Sequence, residues 1–357
     1  APRGWPRTRS IDFQASAARQ PGSTTRHAAA PSPTPLSPPP RPPSSYMASL
    51  ATPVMGPAGE EEKLDMVNKY TAFLFSMEGT LWSGKSLAPG AAEIIDLLRY
   101  QGKKVFFVTN DATLSRQGHL KKLQAMGLKA SLEEIYGSAF AAALFLKSKK
   151  FQRKAYVIGE GGLMEELRAM GIPALGGPAD ATAVVDFDAD EPFVDVDPDV
   201  GAVVVGMDRG LNYYKVQYSL TCMLQNKDCM FLATNTDSRS YFSMTQEWAG
   251  AGTMVGALIG ASEAEPLVVG KPSSFLLDTI CRASGVAKEQ MCIVGDRLDT
   301  DVLWGNRSGC GTLLVLSGAT SEAMLKSPEN KVHPTYYLDN IGGLLTIRDK
   351  LSSCVVS

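Results

Sequence analysis

The sequence predicts an α/β protein built on a parallel sheet with helices on both faces. Three observations carry that prediction. From residue 70 onward, short runs rich in Val, Ile, Leu and Phe alternate with helix-period stretches. The runs are apolar throughout rather than alternating, as strands buried on both faces are. Polar, chemistry-bearing residues follow several of them directly, where open parallel sheets bind ligands.

Tyr70–Phe75 reads as the first strand. Ala91–Gly102 is helical, with Ile94, Ile95, Leu97 and Leu98 on one broad face and Gly102 as a stop. Lys104–Thr109 is a strand, and Ser115–Gly127 and Phe140–Lys147 are helices. Lys154–Gly159 is a strand leading into the helix Gly162–Met170. Val200–Gly206, Cys229–Thr234, Pro266–Val269, Gln290–Val294 and Gly311–Leu316 complete the strands. No internal repeat is visible.

A chain of 357 residues suggests about two domains. The 35 basic and 37 acidic residues leave a charge of −2. That balance offers no field for nucleic acid and no basic patch for anionic lipid, so neither is expected as a partner. No apolar run reaches the roughly 18 residues of a membrane span. The six Cys, at 222, 229, 281, 292, 310 and 354, include no CxxC pair, which argues against zinc and redox motifs. Free thiols in a reducing compartment are the simplest reading.

These averages conceal a split. Residues 1–50 hold 11 of the 22 Pro, six Arg, no Lys and one acidic residue, Asp12. Such a segment buries too little apolar surface to order itself, so a disordered leader is expected over 1–62. An Arg-rich, Ser- and Ala-rich, acid-poor start also fits an organellar transit peptide; if the leader is one, a chloroplast or other plastid is the expected compartment, and otherwise the cytoplasm. Beyond residue 50, 29 basic residues face 36 acidic ones, a charge of −7. Local phosphate chemistry in that acidic body is therefore informative.

Ser76, Met77, Glu78, Gly79 and Thr80 follow the first strand, and Thr109, Asn110 and Asp111 end the second. Gly270, Lys271, Pro272 and Ser273 precede a helix. Gly295, Asp296, Arg297, Leu298, Asp299, Thr300 and Asp301 follow QMCIV. Thr109 and nearby backbone N–H groups can hold phosphate oxygens. Lys271 can set a point charge on the phosphate beside a helix start. Asp296 and Asp301 are hard oxygen ligands suited to Mg2+. Each piece alone has an ordinary reading: a turn, a helix start, a solvated acidic loop. Their appearance in order, each at a strand end or helix start, is what points to a phosphate and metal site. Gly79–Ser86 also fits GxxxxGK[ST], but that nucleotide loop runs straight into a helix. Here Pro89 and Gly90 intervene, so the nucleotide reading is set aside.

On these residues the chain resembles the haloacid dehalogenase superfamily of phosphatases, most like the 2-phosphoglycolate phosphatase and 4-nitrophenylphosphatase group. Phe107–Asn110 (FVTN), Tyr156–Glu160 (YVIGE), Val200–Lys215, Gln246–Gly252, Glu265–Ser273 (EPLVVGKPS) and Val294–Asp301 (VGDRLDTD) carry the likeness, which spans about residues 64–345. The resemblance implies a Rossmann-like core over 63–154 and 246–357, with an inserted α/β cap at 155–245. It implies Mg2+, a small phosphate ester as substrate and a homodimer paired through the cap. It also implies a first motif Asp-x-Asp-Gly. Its first Asp attacks phosphorus and ligates the metal, and its second exchanges the proton with the leaving group and water. Thr109 with Asn110 then bind phosphate, Lys271 assists catalysis, and Asp296, Asp301 and Glu78 serve the metal.

The first motif departs from that pattern. Ser76 stands at the attacking position and Glu78 at the acid/base position; only Gly79 and Thr80 match. A hydroxyl is a poor attacker without a base, and His27, His119 and His333 all lie away from strand ends. The expectation is a phosphatase-lineage protein with impaired turnover and weakened Mg2+ binding, or a catalytically inactive module that binds a phospho-metabolite or a protein. Asp208 and Arg209 are read as a turn. Asp180, Asp186, Asp188, Asp190, Glu191, Asp195 and Asp197 are read as a solvated acidic loop.

Overall fold

The computed structural model describes residues 57–84, 86–240 and 246–353. In chain order the strands are β1 (Ala72–Ser76), β2 (Trp82–Ser83), β3 (Ser86–Leu87), β4 (Lys104–Thr109), β5 (Ile135–Gly137), β6 (Lys154–Ile158), β7 (Ala174–Gly176), β8 (Val200–Val205), β9 (Met230–Ala233), β10 (Arg239–Ser240), β11 (Trp248–Ala249), β12 (Leu267–Val268), β13 (Met291–Gly295), β14 (Gly311–Val315) and β15 (Tyr336–Leu338). Six form one sheet in the order β15-β14-β13-β1-β4-β5, with every pair parallel. Five form a second parallel sheet, β12-β9-β8-β6-β7. The second lies in sequence between the two halves of the first. The α/β class read from the sequence is the class of the structure.

β1 is central because both its faces are apolar. All five residues of Ala72–Ser76 are buried, and β13 and β4 flank the strand in register, Phe75 opposite Val294 and Phe107. The helix Ser138–Ser148 has almost no polar face, with Ser138 to Ala143, Phe145 and Leu146 buried. Its Phe140, Ala141 and Ala142 share one apolar cluster with Leu74 and Val108 of the first sheet and Val157 and Val204 of the second. That helix therefore serves both sheets. Among the described residues, no helix is long and apolar enough to cross a membrane.

Several expectations shift. The leader, expected to 62, mostly lies outside the described residues, but a helix already begins at Glu60 and runs to Lys69. Met66 and Val67 bury one side of it, and the Glu62 carboxylate accepts from the N–H of Gly59 at its start. The second sheet reaches past 245: β12 pairs with β9, and the helix Ala251–Ser262 packs Met254, Val255 and Leu258 on that sheet's own cluster. Pro266–Val269 was legible as a strand, but nothing in its sequence says which sheet it joins. β5, β7 and β15 escaped the sequence reading because three residues carry no period. Gly79–Ser86 forms the antiparallel hairpin β2–β3 rather than a turn into a helix; Lys85 is outside the described residues.

Candidate active site

The carboxyl ends of β1, β4 and β13 open into a cavity of ≈ 680 Å³. Its floor carries Ser76, Thr109, Lys271 and Asp296, and Glu78 and Asn110 line it too, so six of the seven candidate site residues picked from strand ends and helix starts converge there. Met207 and Arg209, from the loop after β8, line it from the second sheet.

Lys271 organises the floor. Its ammonium is buried, 2.6 Å from Asp301 Oδ1, and donates to Ser76 Oγ at 2.9 Å. The other oxygen of Asp301 accepts the N–H groups of Asp296 and Arg297, each at 3.2 Å. Both Asp301 oxygens are thus occupied by the chain, which makes Asp301 a brace for Lys271 and for the loop rather than the open metal ligand the sequence suggested. Asn110 is likewise engaged. Its Oδ1 accepts from the Lys271 N–H at 2.9 Å, and its Nδ2 donates to the Lys271 carbonyl and to Asp237. Its amide holds the lysine segment in place instead of standing open to phosphate as expected.

Asp296 is buried, with Oδ2 accepting from the Ala319 N–H at 2.8 Å and Oδ1 only 3.5 Å from the Thr80 hydroxyl. Burial and the neighbouring Asp301 push its carboxyl up to about 7, against the pull of the Ala319 N–H, Lys271 and Arg297. Added Cβ atoms at Gly79 or Gly318 would collide with this carboxylate, so two glycines shape the space around it. A buried carboxylate short of positive charge fits a divalent cation, which is bound through one or two carboxylates plus substrate phosphate. Asp296 would hold it, with Ser76 offering only a neutral oxygen. Among the described residues, no group of three or more His, Cys, Asp or Glu is arranged to hold a metal.

Glu78, expected to serve acid/base chemistry and the metal, faces a different set. Oε1 lies 3.1 Å from Lys122 Nζ, and Oε2 accepts from the Thr109 hydroxyl at 3.3 Å. Burial opposes its ionisation, but Lys122 and His119 outweigh that and hold the carboxyl below its usual range. His119 is therefore close enough to matter electrostatically, although its ring is buried and bonds the Asp111 carbonyl.

Sequence reasoning missed Lys122, Asn235 and Asp237. Asn235 Nδ2 donates to the Asn110 carbonyl at 2.8 Å. The strand-end rule reaches Asn235 and Asp237, which follow β9, whereas Lys122 sits in the last turn of the helix Arg116–Ala125 with no local signal. Asp208 fits the expected turn: Oδ1 accepts from the Gly210 N–H, and Oδ2 pairs with the fully buried Lys215 at 2.8 Å. Arg209 belongs to the cavity wall, clamped by Glu160 through Nε at 2.7 Å and Nη2 at 2.6 Å.

A buried ammonium, a hydroxyl and a buried carboxylate at one cavity floor are chemically suited to an anion and a cation together, and known proteins resemble this chain. A Haloacid dehalogenase-like hydrolase family model matches residues 73–173, and a second HAD-hydrolase-like model matches 268–344. Phosphoglycolate phosphatase 1A, chloroplastic, of Arabidopsis thaliana is 47% identical over 283 residues, 79% of this chain and 78% of its own. The crystal structure of 4-nitrophenylphosphatase from Thermotoga maritima matches with a TM-score of 0.67 at 26% identity, over 79% of this chain and 98% of that one. Glycerol phosphate phosphatase from Mycobacterium tuberculosis, solved in complex with magnesium, matches with a TM-score of 0.64 at 26% identity, over 78% of this chain and 77% of that one. With two parallel sheets, converging strand ends and these likenesses in agreement, the chain belongs to the haloacid dehalogenase-like hydrolases.

Proposed function

We propose that this protein binds a small phosphate monoester, 2-phosphoglycolate by the likeness to its relatives, and that its hydrolysis of the ester is impaired. The observation that carries the reading is the contact between Lys271 Nζ and Ser76 Oγ at 2.9 Å. The ammonium is ion-paired with a buried carboxylate at 2.6 Å, so it donates a hydrogen bond to the serine oxygen and offers no lone pair to take the hydroxyl proton. A hydroxyl in that position gains no nucleophilicity.

The phosphate would sit on Lys271, the Thr109 hydroxyl and the metal. Asp296 supports Mg2+ as its single acidic ligand from the floor, which favours weaker binding than a two-carboxylate site gives. The cation would neutralise phosphate charge, as Lys271 does from the other side. A module that holds the ester without turning it over is the second reading, favoured by the same intact anion-holding parts beside Ser76. The composition of residues 1–50, together with a relative named chloroplastic, supports delivery to a plastid.

Titration calorimetry with 2-phosphoglycolate and Mg2+ tests the reading. Binding that is lost in Lys271→Ala, with phosphate release at least about a hundredfold below a family enzyme, is the expected result. No binding by the wild-type chain would overturn it.

A further inference from the structure

Lys122 stands on the side wall of the cavity, in the last turn of the helix Arg116–Ala125. Its ammonium lies 3.1 Å from Glu78 Oε1 and 4.7 Å from the centroid of the Trp82 ring. The second oxygen of that Glu78 carboxylate meets the Thr109 hydroxyl at 3.3 Å. One carboxylate therefore bridges the phosphate-holding floor and a cation on the wall. Glu78, Trp82, Thr109 and Lys122 all line the cavity.

We propose that Lys122 is the seat for a second anionic group on the bound phosphate ester, and that the Glu78 carboxylate fills that seat as a built-in competitor. This rests on the phosphate-ester reading above. A carboxylate lying between Thr109 and Lys122 copies the charge and placement of one carried a bond or two from a phosphate. A ligand carboxylate that reaches Lys122 must displace Glu78 or share the lysine with it, and two carboxylates on one ammonium repel each other. Trp82 holds the ammonium over its ring, so little ordering is left to do when a ligand arrives. Arg209, also on the wall, has Nε and Nη2 committed to Glu160.

The test is calorimetry on the full chain with Mg2+ and three probes: inorganic phosphate, ethyl phosphate and 2-phosphoglycolate. Ethyl phosphate lacks the carboxylate. Glu78→Gln is expected to tighten 2-phosphoglycolate about tenfold relative to ethyl phosphate. Lys122→Met is expected to abolish any preference for 2-phosphoglycolate over ethyl phosphate. Lys122→Gln serves the same purpose should the Met variant melt abnormally. A ratio between the two esters that stays fixed in all variants, with ethyl phosphate still bound, overturns the role of Lys122 alone. Failure of the wild-type chain to bind any of the three overturns the phosphate-ester reading itself.

Discussion

At Gly79 the backbone turns with φ +77, a conformation that a side chain disfavours, and an added Cβ would collide with the Asp296 carboxylate. Gly79→Ala is expected to lower the unfolding midpoint and to weaken Mg2+-dependent ligand binding together; a variant with wild-type binding would contradict this. Asp237 makes a second residue-scale case. Burial raises its carboxyl, against Arg297 and the hydrogen bond from Asn110. A group that holds its proton more tightly when folded favours the fold at low pH and costs stability as pH rises through its raised value. Asp237→Asn should therefore unfold later than wild type near neutrality, with the gap closing toward the ordinary value of 3.8. Thermal melts across about pH 4 to 8 would show it, and a gap equal at every pH would contradict it. Residues such as Thr109, Lys271 and Asp296 were legible because a strand end or helix start announces each. Lys122 was not, because only the approach of the helix Arg116–Ala125 to the hairpin β2–β3 gives it a role.

Elements follow the same logic of length. Strands of five or six apolar residues, such as β4 and β8, announce themselves; the three-residue edges β5, β7 and β15 carry no period and take their form from neighbours already in place. The turn after β8 shows how an element end is pinned. Lys215 and Asp208 form an ion pair with side chains only 0% and 3% exposed, tying the helix Tyr213–Gln225 to the loop that carries Arg209. Lys215→Met leaves a buried carboxylate without its partner, and a loss of about 3–5 kcal/mol is expected. Adding Asp208→Asn should recover a good part of it. Urea unfolding of the single and double variants decides; a double variant no better than the single would contradict the account.

Across the whole described body, two parallel sheets share the helix Ser138–Ser148, and the cavity opens at the strand ends of the first beneath a loop of the second. A core and an insertion came from the family resemblance rather than from any spacing of motifs. That the second sheet extends past 245 was not legible, because β12 joins it only through its pairing with β9. On the proposed reading the same body keeps the parts that hold an anion, and Ser76, whose hydroxyl meets the Lys271 ammonium at 2.9 Å, stands where the resemblance implies a carboxylate. The most direct measurement is steady-state phosphate release from 2-phosphoglycolate with Mg2+, wild type beside the double variant Ser76→Asp, Glu78→Asp. The expected result is a variant faster by about a hundredfold or more. Equal rates, with wild type turning over as a normal enzyme of its family, would contradict it.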